Sequence, residues 1–259
     1  MMFHAIGVGI DGSAASRFAV EWATQHAVRE NSALTLLHVS SGPGRSSAET
    51  DSLIATELQF ARSITPTVEP TVEIMAGDSV RALAEAADRF DVVVIGTHKT
   101  GFLRGRAFGS IGPRLAAIAP VPLAVIPAPS GRTRRGIVVG IDDDLRSLPA
   151  VRMAARDAAA TAAELTVIHA QRTHGESQLG AALRIVGGEF PELPVFTREV
   201  VGDASEILIN AATTAECLYI GGSDSRDGGL GPVGYDVLLN IAGPTILVPM
   251  QRQTAGASR

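Results

Sequence analysis

The apolar residues of this chain fall in short, nearly unbroken blocks, separated by stretches in which they recur every three or four positions. Ile6-Gly7-Val8-Gly9-Ile10, Leu34-Thr35-Leu36-Leu37 and Val92-Val93-Val94-Ile95 are blocks of the first kind. Continuous Val, Ile and Leu are expected of strands covered on both faces, whereas a strand with one wet face alternates. The pattern predicts strands near 3–10, 33–40, 68–76, 91–96 and 121–126. Between them Ala15, Phe18, Ala19, Trp22, Ala23 and His26 recur at helical spacing, as do Val80, Leu83, Ala84 and Ala87. The Gly42-Pro43-Gly44 loop leads to a helix start at Ser46 or Ser47, with Glu49 close behind. Strands alternating with helices call for a parallel sheet clothed by helices on both faces.

The whole pattern occurs twice. Gly7-Val8-Gly9-Ile10-Asp11-Gly12-Ser13 is echoed 131 residues on by Val138-Val139-Gly140-Ile141-Asp142-Asp143-Asp144, and Leu34-Thr35-Leu36-Leu37-His38 by Leu165-Thr166-Val167-Ile168-His169. Gly77-Asp78 matches Gly202-Asp203, and Val93-Val94-Ile95-Gly96 matches Leu218-Tyr219-Ile220-Gly221. The ends match too, Val121 to Pro127 against Pro244 to Pro249. A duplicated domain implies a shared fold, so chemical differences between the copies mark differences in function. Pro127-Ala128-Pro129-Ser130-Gly131, with Arg132, Arg134 and Arg135 behind it, breaks both periods. The chain is therefore divided into a first domain over 1–128, a linker over 129–135, a second domain over 136–250 and a tail over 251–259.

Composition narrows the classes of partner. With 259 residues and 46% hydrophobic content, each copy can bury its own core. A formal net charge of -5 argues against duplex nucleic acid or an anionic membrane surface, both of which select a basic excess. No apolar run approaches the ~20 residues that span a bilayer, and the start does not read as a secretion signal. A cytoplasmic protein is expected. The single cysteine, Cys217, lies in an apolar run and reads as inert core.

Three segments of the first copy should meet at one sheet edge, because open α/β sheets bind ligands outside the carboxyl ends of their strands. These are Asp11-Gly12-Ser13, Val39-Ser40, and the segment from Gly96 through Thr97, His98 and Lys99 to Gly109 and Ser110. The last runs into an apparent helix carrying Ile111, Leu115 and Ile118. A glycine-rich loop opening a helix offers unpaired N–H groups and a positive dipole end, which suits an anion.

On these residues the sequence resembles the universal stress protein family, in its tandem two-domain form. Its nucleotide-binding members carry Gly, two residues, Gly, nine residues, then Gly-Ser or Gly-Thr. Here Gly96, Gly109 and Ser110 meet that pattern, and Lys99 stands at the second glycine. The resemblance implies an α/β fold of two tandem Rossmann-like domains. Each would be a five-stranded parallel open sheet with helices on both faces, of the adenine nucleotide alpha hydrolase-like type. It implies a cofactor site for ATP or another adenine nucleotide, with Mg²⁺ as an accompanying ion. Asp11, Gly12, Ser13 and the backbone near Val39 would face adenine and ribose. Gly96, Thr97, His98, Lys99, Gly109 and Ser110 would hold the phosphates. It further implies a pseudo-dimer of the two domains through their last strands and leaves room for a homodimer.

Lys99 departs from the pattern. If its position needs positive φ, a side chain costs ~1–2 kcal/mol there, while an ammonium near a phosphate returns a few kcal/mol at an effective dielectric of about 20. Lys99 thus either preserves binding as a point charge or covers an empty site. Between Gly96 and Arg114 lie Lys99, Arg104, Arg106 and Arg114 with no acid, whereas the second copy sets Arg226 against Asp224, Asp227 and Asp236. Gly231-Pro232 replaces Gly109-Ser110, and Asp143-Asp144 replaces Gly12-Ser13. The second copy is expected to bind no nucleotide.

Structural readings stand beside these. Asp11 can serve as a helix cap, the glycines as turn residues, and Ser13 and Ser16 as caps or contacts. His38 and His169 recur in both copies, which favours packing over chemistry, and His98 reads equally as a solvated loop residue. Asp142-Asp143-Asp144 reads better as an acidic turn than as a Mg²⁺ site. No nucleophile with a base, and no His/Cys cluster, stands out, so an enzyme is not expected. The reading is a nucleotide-binding stress-response protein; its rivals are a ligand-free scaffold or adaptor and a slow Mg²⁺-dependent ATPase.

Overall fold

The unbroken apolar blocks fold as buried strands. The computed structural model describes residues 3–40, 47–98, 111–142, 145–171, 179–222 and 230–250. The first half contains β1 (Ala5–Ile10), α1 (Ala14–Glu30), β2 (Ala33–Ser40), α2 (Ser47–Ile64), β3 (Thr71–Ala76), α3 (Ser79–Ala86), β4 (Val92–Thr97), α4 (Ile111–Ala116) and β5 (Leu123–Pro127). The second half repeats the order with β6 (Ile137–Ile141), α5 (Leu148–Thr161), β7 (Leu165–Gln171), α6 (Leu179–Glu189), β8 (Val195–Val201), α7 (Ala204–Ala212), β9 (Cys217–Gly221), α8 (Pro232–Leu239) and β10 (Thr245–Val248). The third strand starts at Thr71 rather than 68. Pro70 has no N–H to give to a ladder, and Val68 packs into the core from the turn before it.

The strands lie in the order β3-β2-β1-β4-β5-β10-β9-β6-β7-β8. Each half is a five-stranded parallel sheet, and the halves join into one sheet through a single antiparallel pair, β5 with β10. Val125 faces Thr245, Ala124 faces Ile246 and Leu123 faces Leu247. Both strands are buried along their whole length. Left apart, each would expose an apolar edge with unpaired backbone groups.

Two cores sandwich this sheet. One gathers Ala19 of α1, Ala61 of α2, Ala154 of α5 and Val186 of α6. The other gathers Leu83 of α3, Leu115 of α4, Leu208 of α7 and Val237 of α8. Both continue across the seam, the first through Ala124 and Ile246, the second through Val125 and Leu247. Cys217 lies buried in β9, and burial pushes its thiol well above the ordinary range.

The segment between β5 and β6 is anchored by Arg134. Its guanidinium donates to the carbonyl oxygens of Ala212 (2.6 Å), Ala215 (3.1 Å) and Ala242 (2.8 Å). These are carbonyls at and beyond the end of α7 and before β10, which a helix of its own leaves unpaired. Gly243 makes room for the clasp, since a Cβ there would lie 2.3 Å from the Arg134 Nη1.

Candidate functional site

The first half has the strand order 3-2-1-4-5, which reverses direction between β1 and β4. α1 leaves β1 on one face of the sheet and α4 follows β4 on the other. A crevice therefore opens outside the carboxyl ends of these two strands. Asp11-Gly12-Ser13 occupies one wall of it, and Thr97 and His98 end the other.

The first wall is a tight turn. The Asp11 Oδ1 accepts the backbone N–H of Ser13 at 2.8 Å, and Gly12 has φ +80°. The left-handed conformation at Gly12 is one that a side chain adopts only with strain. A Cβ there would also lie 3.1 Å from Leu53. Ser13 is the N-cap of α1, its hydroxyl oxygen accepting the Ser16 N–H at 3.1 Å. The Ser16 hydroxyl donates back to the Ser13 carbonyl at 3.0 Å. The capping role open to Asp11 thus belongs to Ser13, which leaves the Asp11 carboxylate to fix the turn and face solvent.

Asp11 is held as a carboxylate. Partial burial opposes its charge, but the hydrogen bonds from Ser13 and Ser16 and the nearby His98 imidazole outweigh it, so its carboxyl titrates below the usual range. An ionised carboxylate only accepts hydrogen bonds, so what it can recognise is a hydroxyl or amino group. Val39 lies in β2 one residue beyond His38, the partner of Ile10 in the register, and so reaches the same edge. His38 and His169 are both buried. His38 Nδ1 lies 3.2 Å from the Ile10 carbonyl and His169 Nδ1 lies 3.0 Å from Gln171 Nε2, positions inside the sheet rather than in the crevice.

Gly96 has a role of its own. A Cβ on it would lie 1.9 Å from the carbonyl oxygen of Ala15, so the first turn of α1 rests directly on the end of β4. This contact brings the two walls together. Lys99, Gly109 and Ser110, to which the family resemblance assigns the phosphates, lie outside the described residues, as do Arg104 and Arg106.

The halves differ at the next helices, and sequence reasoning reached only the charge part of that difference. In the first half Asp78 caps α3 and lies 3.6 Å from Arg114 on α4. The Arg81 N–H, then Arg114, keep the Asp78 carboxyl below the usual range. In the second half Asp203 caps α7 in the same way, but the position of Arg114 is held by Asp236. The Asp236 Oδ2 accepts the hydroxyl of Ser205 at 3.4 Å. A cavity of about 590 Å³ opens here, at the carboxyl ends of β6 and β9. The charge difference between Arg114 and Asp236 was legible; the cavity and the Ser205 contact were not, because they depend on how α7 and α8 pack.

A parallel sheet that reverses at β1 and β4, built twice and fused edge to edge, defines a doubled Rossmann-like α/β protein. The sequence model of the Universal stress protein family matches residues 2–127. The first half of the chain therefore carries a universal stress protein domain. The universal stress protein Rv1996 of Mycobacterium tuberculosis is 26% identical, with 96% of this chain and 96% of that protein covered. A universal stress protein of Archaeoglobus fulgidus shares the fold over 96% of this chain and 97% of its own, with a TM-score of 0.76 at 15% identity. Another from that organism, solved in complex with dAMP, is 21% identical over 45% of this chain and 99% of its own, with a TM-score of 0.37.

Proposed function

We propose that the first half binds ATP or a related adenine nucleotide and that the protein acts through this binding in a cytoplasmic stress response. The observation that carries the reading is the Asp11-Gly12-Ser13 turn, set against Thr97 and His98 at the reversal point of the sheet. Its ionised Asp11 accepts hydrogen bonds from the ribose hydroxyls or the adenine amino group, with the backbone near Val39 alongside. The phosphates run toward the segment carrying Lys99, Gly109 and Ser110, where Lys99 supplies a positive charge. Mg²⁺ arrives with the nucleotide. The role is binding rather than catalysis: Asp11 is tied to the turn through its Oδ1, and a carboxyl held below its usual range is a weak base. The second half acts as a structural partner that takes no nucleotide.

Binding only to the native state raises the melting temperature. Millimolar ATP is expected to raise the melting temperature of the full chain by several degrees, and Asp11→Ala to abolish the rise. A melt indifferent to ATP would overturn the reading and favour a ligand-free scaffold.

A further inference from the structure

We propose that the second half binds a small protonated organic amine in the cavity at the carboxyl ends of β6 and β9. This goes beyond the nucleotide site and rests on different residues. The cavity, at about 590 Å³, is of the size that encloses a small ligand. Its floor is apolar, with Ile141, Ile168, Leu208 and Ile220 all buried. Its mouth carries the carboxylates of Asp142, Asp203 and Asp236, and among the described residues no Lys, Arg or His lines it. A carbon skeleton fits the floor and an ammonium fits the rim.

The duplication supplies the control for this assignment. Where the first half sets Arg114 against Asp78, the second sets Asp236 on the same side as Asp203, so the helix has exchanged a cation for an anion. The exchange comes with a second change. Ser205 stands where the first half has Val80, and its hydroxyl holds the Asp236 carboxylate at the cavity. Pro232 at the start of α8 has no N–H to offer an anion. The cavity has thus inverted its preference: a phosphate meets three carboxylates, while an ammonium meets acceptors that give it charge-assisted hydrogen bonds.

Tryptamine and indole-3-acetate carry the same ring with opposite charges and serve as probes. In calorimetric titrations of the full chain, tryptamine is expected to bind, with indole-3-acetate at least tenfold weaker. Asp236→Asn is expected to weaken tryptamine at least fivefold, and Asp236→Arg, which installs the residue of the first half, to abolish its binding. Saturating ATP should leave tryptamine binding unchanged, which separates this site from the nucleotide site. Absence of tryptamine binding, equal binding of the two probes, or displacement by ATP overturns the proposal. The comparison of the two probes needs only the unaltered chain, so it decides the matter even where a variant fails to fold.

Discussion

At the scale of single residues, the functional edge is held together by contacts that leave no spare space. Gly96 is the sharpest case, because a Cβ would occupy the place of the Ala15 carbonyl. Gly96→Ala must push α1 away from β4, an overpacking that costs ~1–3 kcal/mol. Denaturant melts are expected to show that loss together with weaker ATP binding; an unchanged midpoint would refute the contact. This glycine was legible as important from its place in a motif, but for a different reason. The motif pointed to phosphates, whereas the packing of α1 alone already excludes a side chain. His26 shows the reverse. Its helical spacing marked it as core, and the structure gives it a measurable signature. It stacks on Trp22 with ring centroids 3.4 Å apart, and its Nδ1 lies 2.8 Å from the Trp22 carbonyl. Burial, reinforced by the charge of Arg29, pushes its pKa down to about 3 against the ordinary 6.5. The unfolded chain therefore binds a proton that the folded one refuses. The contribution of His26 is fully present above pH 6.5 and is lost as pH falls toward about 3, by up to ~1.4 kcal/mol per pH unit. His26→Gln should flatten the pH dependence of unfolding across that window, and identical slopes would contradict the assignment.

At the scale of elements, the two copies solve the same problems with different residues. Both α1 and α5 end on a left-handed residue, Asn31 with φ +53° and Ala162 with φ +52°. They are sibling positions in the repeat. Asn tolerates this conformation, but Ala pays for its Cβ without a polar group to compensate. Ala162→Gly is accordingly expected to stabilise the protein by about 1 kcal/mol, read from the denaturation midpoint; a loss of stability would show that the Cβ of Ala162 has packing value. The strands and helices themselves were legible, because blocks of Val, Ile and Leu against a period of three to four leave little choice of element. Their ends were less so. Pro70 delays β3, and the cap of α1 falls on Ser13 although Asp11 is an equally good capping type. Which of two neighbouring acceptors takes an N–H depends on the backbone turn at Gly12, which composition does not express.

At the scale of the whole molecule, one ten-stranded sheet carries two sets of strand carboxyl ends, flanked by Arg114 in the first half and by Asp236 in the second. The repeat in the sequence revealed the two halves and the strand classes, and the family resemblance implied that they would meet through their last strands. Arg134 was not legible, since an arginine in a segment of Pro, Ser and Gly reads as a solvated charge. It closes the molecule by pairing with carbonyls from α7 and the approach to β10, far away in sequence. Nor could the sequence show that charge reversal at Asp236 comes with an apolar-floored cavity. The central claim is that the halves have divided their labour, one for an adenine nucleotide and the other for something else. The stoichiometry of ATP binding, measured by calorimetric titration of the full chain beside Asp11→Ala and Asp142→Ala, tests it most directly. One nucleotide per chain, lost in Asp11→Ala and retained in Asp142→Ala, is the predicted result. Two nucleotides per chain, none, or a single one lost in Asp142→Ala instead would contradict it.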